Sequence, residues 1–186
     1  MTTTTAAATT ATRTTWAIDA SHSQVEFAVR HLMISTVRGR FAGVKGTVVT
    51  DDQDPAAAQV DVAIDVNTID THEAQRDTHL KSADFFDAER FPVLTFKSTR
   101  VTDVKSDGFK LAGSLTMHGV TRDVTLEVTS EGRGKDPWGG DRAGYSATTK
   151  IKRSDYGLTW NQVLEAGGIA VGDEIKISLD LELVKQ

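Results

Sequence analysis

Apolar and polar side chains alternate along most of this chain. In FKLAGSLTMHGVTRDVTLEV, residues 109–128, the apolar positions are Phe109, Leu111, Leu115 and Met117, then Val120, Val124, Leu126 and Val128 after His118-Gly119. Period two on both sides of a two-residue connection predicts a β-hairpin with one buried face and one wet face. The same pattern predicts strands over residues 16–19, 24–30, 37–50, 59–66, 93–101, 143–153 and 174–184. Glycines at 39, 43 and 46 predict bulges or sharp bends in the third of these. Residues 31–36 and 51–55 read as turns, Ser106-Asp107-Gly108 as a hairpin turn, and Gly132 to Gly140 as a loop. Residues 67–90 are rich in charge and His, with apolar side chains thinly spaced. They read as a crossover with one or two short helices, ended at Phe91-Pro92 because a residue before Pro is pushed out of the α region. Residues 155–172 form a second long connection.

About eight strands with little helix fit a sandwich or an up-and-down barrel. Most connections are short, which makes sequence neighbours spatial neighbours and favours an all-β, eight-stranded antiparallel up-and-down (lipocalin-like) barrel with a short helical crossover. A barrel of that size has an interior just wide enough for side chains or for one slender ligand.

Composition narrows the function. The chain has 186 residues, enough for one domain with a core of its own. It has no cysteine, so disulfides, thiolate metal sites and a Cys nucleophile are excluded. A net charge of -5 argues against a nucleic-acid surface. No apolar run is long enough to cross a bilayer. Residues 1–15 are Thr/Ala-rich and read as a disordered tail, with the folded domain spanning 16–186. The tail lacks the apolar middle of a secretory signal. The expectation is therefore a cytoplasmic protein, or a periplasmic or secreted one if an upstream signal has been removed.

Candidate chemistry is sparse. His72-Glu73 begins like a zinc HExxH motif, but Arg76 stands at the final position. His72 and His79, with Glu73, Asp77 and Asp84 nearby, fit bridging roles in a crossover better than a metal site. His118 fits a turn residue, and His22 and His31 fit structural roles at strand ends. No nucleophile elbow and no phosphate-binding loop is present. The expectation is no enzyme, no cofactor and no metal.

Several segments together resemble the YceI-like family of polyisoprenoid-binding, lipocalin-like barrels. They are WAIDASHSQVEFAVRHLMISTVRGRF, HLKSADFFDAERFPVLTFKSTRV, GSLTMHGVTRDVTLEV, SDYGLTWN and VGDEIKISLDLEL, in that order, covering Trp16 to the C-terminus. The resemblance implies an eight-stranded antiparallel barrel around an elongated apolar tunnel for a lipid chain. It also implies a homodimer and, for many members, export to the periplasm.

Alternation and resemblance together predict a binding protein for an amphiphile with a long isoprenoid or acyl tail, such as a polyprenyl diphosphate, a quinone or a fatty-acid-like molecule. A tail of about 15 to 20 carbons would gain about 12 to 16 kcal/mol before ordering and association costs. The expected lining is Phe27, Val29, Phe41, Ile64, Phe96, Leu115, Met117, Leu126, Ile175 and Ile177, with Phe85, Phe86 and Trp160 plugging or gating an end. Arg30, Arg38, Arg40 and Arg153 are the candidates for meeting an anionic head group. The alternatives are an enzyme acting on such an amphiphile and an interaction module whose barrel is filled by its own side chains.

Overall fold

The computed structural model describes residues 13–51, 54–165 and 167–186. Eleven strands are present among them: β1 Arg13–Ile18, β2 Gln24–His31, β3 Ser35–Phe41, β4 Val44–Asp51, β5 Gln59–Asp65, β6 Ile69–Asp70, β7 Val93–Thr102, β8 Gly108–Met117, β9 Val120–Lys135, β10 Asp141–Lys152 and β11 Val171–Lys185. One α-helix, α1 Ala74–Lys81, lies in the crossover between β6 and β7. Of the tail expected over residues 1–15, residues 1–12 lie outside the described residues, and 13–15 belong to β1, which starts three positions before Trp16.

These strands make the expected eight-walled antiparallel barrel. β4, β5, β7, β8, β9, β10 and β11 pair in turn, and β1 closes the ring by pairing with both β4 and β11. β1 and β2 share one wall position, interrupted by the turn at residues 19–23. Both run antiparallel to β11, through Trp16↔Lys185 and Asp180↔Gln24. The Ser23 hydroxyl bridges the break, accepting from the Glu182 amide at 3.0 Å and donating to the Glu182 carbonyl. β3 and β4 likewise share a position, bent at Ala42-Gly43, and β6 continues β5 by pairing with β3. We call the end holding the β4–β5, β7–β8 and β9–β10 connections the upper end. The end holding α1 and the β10–β11 connection is the lower end.

The β8–β9 turn is the two-residue connection expected, with His118 at φ 52° and Gly119 at φ 73°. Positive φ at both positions matches the right-handed twist of the strands. A Cβ on Gly119 would also stand 2.7 Å from the Phe91 ring. His118 closes the turn onto the next connection, its Nδ1 lying 3.2 Å from the Tyr156 carbonyl oxygen.

Register shifts interrupt three of the pairings: one lies at the start of β11, between Val171 and Ile175, and two break the alternation of β7 and β9. In β7 the register shifts between Ser98 and Arg100, so the buried row runs Leu94, Phe96, Val101. In β9 both Glu131 and Gly132 lie opposite Gly144, between the pairs Ser130↔Tyr145 and Arg133↔Ala143. Gly132 sits there at φ 115°, a conformation available to glycine and to almost nothing else. Residues 132–135, expected in a loop, instead extend β9 toward a tight turn at 136–140.

Candidate functional site

The inward rows do not fill the barrel. They enclose a cavity of about 430 Å³ whose wall is apolar except at seven positions: Glu26, Thr50, Asp51, Arg133, Tyr145, Thr149 and Arg153. The reason is in the residue choice. Val, Ala and Thr occupy many inward positions, including Val62, Ala147 and Thr149, and their short side chains leave the axis empty.

Twelve of the thirteen residues expected to line a tunnel are on this wall. Phe27, Val29, Phe41, Ile64, Phe85, Phe86, Phe96, Leu115, Met117, Leu126, Ile175 and Ile177 all face the cavity. Trp160 does not. It stands one layer behind, its ring 5.1 Å from Phe85 and 4.8 Å from His79. Phe109, Leu111, Tyr145, Leu179 and Leu181 continue the same rows toward the upper end.

The lower end is closed. Phe86 meets Phe41 edge-on at 5.9 Å, and Phe85, Trp160 and His79 form a mutually packed cluster. His79 is held there by Asp84, 2.9 Å from its Nε2. Beside the rings lies Arg153, only 7% exposed. Its guanidinium donates to the carbonyls of Gly172, Leu158, Trp160 and Val171, at 2.9, 2.6, 2.8 and 3.3 Å. No carboxylate of a described residue pairs with it. Burial pushes its pKa below the ordinary arginine value, with Asp173 partly offsetting the effect. Arg153 is therefore a clamp that ties the end of β10 to the connection at Leu158–Trp160 and to the start of β11, with most of its donors already spent on main-chain oxygens.

The other three arginine candidates are not on the cavity wall. Arg30 binds the β2–β3 turn, donating to the Met33 carbonyl and the Thr36 hydroxyl. Arg38 and Arg40 lie on the outer face of β3, where Arg40 pairs with Asp70. Alternation explains this: they share parity on β3, opposite to Gly39 and Phe41.

The upper end is open. Pro55, Val104 and Arg133 are on the cavity wall and exposed, Val104 at 49%. Arg133, hidden within what alternation reads as a loop, reaches this rim because the β9 bulge puts it on the same face as buried Ala143. Its guanidinium lies 5.5 Å over the Trp16 ring, and Trp16 is fixed by its indole N–H donating to Thr50 Oγ1 at 3.1 Å. The hairpin is anchored by Arg142, which bonds Asp19 at 2.6 Å, Glu182 at 2.9 Å and Asp136 at 3.0 Å. The Ser21 hydroxyl, His22 and Arg142 hold the Asp19 carboxyl well below the usual range. The Gly140 amide and Arg142 lower Asp136.

Metal ligands do not assemble around His72 and His79. Among the described residues the one converging group is Asp19, His22 and Glu182, and there Arg142 already bridges the two carboxylates. No helix of the described residues is long and apolar enough to cross a membrane.

Comparison with known proteins agrees with this geometry. A family model described as the YceI-like domain matches residues 16–183. Protein YceI of Salmonella newport is 43% identical over 141 residues, covering 76% of this chain and 73% of that protein. A UPF0312 protein of Yersinia pestis matches to the same extent. Among solved structures, a Campylobacter jejuni YceI protein has TM-score 0.72 at 30% identity, covering 84% of this chain and 90% of its own. Burkholderia cenocepacia BcnA has TM-score 0.77 at 23% identity, covering 89% and 98%. A domain from Saccharophagus degradans described as polyisoprenoid-binding has TM-score 0.67 at 16% identity, covering 92% and 98%, which speaks for the shared fold. With the barrel, its apolar interior and a match across nearly the whole folded region, the chain belongs to the YceI-like family.

Proposed function

We propose that this protein is a binding protein that holds one amphiphile by its tail, an isoprenoid or acyl chain threaded into the barrel. The observation that carries the reading is the apolar cavity of about 430 Å³, open at the upper end and closed at the lower. Its volume falls in the range of small-molecule sites, roughly 300 to 1,000 Å³. Empty apolar volume is costly to a fold, because the lining side chains lose contacts. An apolar tail restores them and gains about 0.8 kcal/mol per buried methylene. The wall offers few polar groups along its length, so selection among tails rests on length and shape rather than on directed bonds. The polyisoprenoid-binding description of the Saccharophagus degradans domain, which shares this fold, supports an isoprenoid class of tail.

Organic extraction of the purified protein followed by mass spectrometry tests this directly. The expected result is a co-purifying long-chain lipid, or uptake of geranylgeraniol or hexadecanol by lipid-stripped protein. Protein that carries none and takes up none contradicts the reading.

A further inference from the structure

We propose that Arg133, stacked on Trp16 at the open rim, selects amphiphiles whose head group is an anion, a carboxylate or a phosphate. The inference rests on the tail-holding reading above and adds the chemistry of the head.

Three observations carry it. First, Arg133 is the one positively charged side chain that is both on the cavity wall and exposed at its mouth; Arg153 lies buried at the closed end. A tail inserted from the upper end leaves its head beside this guanidinium. Second, among the described residues the two other cations at the tip of the β9–β10 hairpin, Lys135 and Arg142, have carboxylates and Arg133 has none. Lys135 pairs with Asp141 at 2.7 Å, and Arg142 binds Asp19, Glu182 and Asp136. The contact of Arg133 is with the Trp16 ring, which leaves the donors at the edge of the guanidinium available. Third, the backbone is shaped to put it there. Without the extra residue at Glu131–Gly132, alternation would turn Arg133 to the outer face. The bulge re-aims it over an indole that is itself buried and hydrogen-bonded.

A planar guanidinium suits carboxylate and phosphate oxygens, with which it forms paired, charge-assisted hydrogen bonds. Asp51 is the acidic group on the same rim. Heads of both signs and of none therefore read the preference.

Isothermal titration of lipid-stripped protein with matched amphiphiles at pH 8 makes that measurement: palmitate, hexadecanol and hexadecylamine, then geranylgeranyl phosphate and geranylgeraniol. The expected result is about tenfold tighter binding of each anion than of the alcohol with the same tail. R133Q should bring that ratio close to one, R133K should keep part of it, and added salt should shrink it. Acetate and inorganic phosphate alone should not bind measurably, which assigns the anion to a lipid head rather than to a free ion. An anion-to-alcohol ratio equal in wild type and R133Q overturns the proposal. So does tighter binding of the amine, or binding of free phosphate as tight as that of the phosphorylated lipid. Alcohols that bind without any anion preference remove this inference alone. Alcohols that fail to bind remove the tail-holding reading and this inference with it.

Discussion

The two ends of the barrel are built on opposite electrostatic principles. At the lower end Arg153 is buried, and its guanidinium is spent on four main-chain carbonyls. At the upper end Arg133 is exposed and unpaired among the described residues, resting on an indole. Burying a cation in apolar surroundings is costly unless its donors are satisfied, so the closed end uses one arginine as a structural staple. An exposed cation carries little such penalty, so the open end can keep one in reserve. The same residue type closes one end and marks the other, and only the main chain around it decides which.

That contrast can be broken first at the staple. Arg153→Ala leaves several buried carbonyls without donors and should lower unfolding stability by about 3 kcal/mol, read from urea midpoints. Hydrogen exchange should quicken over residues 158–172 and much less in the β9–β10 hairpin. Equal loosening at both ends would mean that Arg153 is not local to the floor.

Between the ends, Ala147 on β10 faces the cavity opposite Val128 and Leu179. Ala147→Phe places a ring in empty space. Overpacking a filled core costs roughly 1 to 3 kcal/mol, whereas here the loss should stay under about 1 kcal/mol while lipid uptake falls at least about tenfold. A large loss of stability would favour a barrel filled by its own side chains.

Acid sharpens the comparison at the upper end. The folded-state pKa values of Asp19 and Asp136 lie below those of the unfolded chain. Their contribution is therefore fully present above about pH 5 and lost as pH falls through about 4 toward the folded values. Urea midpoints should drop over that window. Exchange should quicken first around residues 133–141, and Arg142→Gln should flatten the drop.

The smallest effect is expected at Tyr156, 1% exposed beside the staple. Its hydroxyl is the one buried side-chain polar atom without a partner among the described residues, and burial pushes its pKa up to about 12. Tyr156→Phe removes an unsatisfied group and should raise stability by up to about 1 kcal/mol in the same urea assay.

Alternation made the walls legible. Wherever period two runs unbroken, as along Leu115–Met117 or Ile175–Ile177, inward positions could be read directly, and those side chains line the cavity. The arginines show why the mouth was harder to read. Arg38 and Arg40 sit on a strand with the parity of its outer face, but nothing local to them says which parity is outer. Arg153 directly follows β10, where hydrogen bonding to a distant segment overrides the strand pattern. Arg133 was masked by its neighbours, because GRGKDPWGG has the composition of a loop. The two glycines flanking Arg133 were the available signal: the first, at φ 115°, supplies the bulge that turns it inward. Bulges depend on pairing with a partner strand, which period counting along one strand does not contain.

An empty apolar interior of this size should take one long tail. Native mass spectrometry of lipid-stripped protein incubated with geranylgeraniol tests it most directly, with wild type and Ala147→Phe side by side. Wild type should carry a single bound molecule per chain and the filled variant none, with both proteins folded. Adducts equal in the two proteins, or absent from wild type, would contradict it.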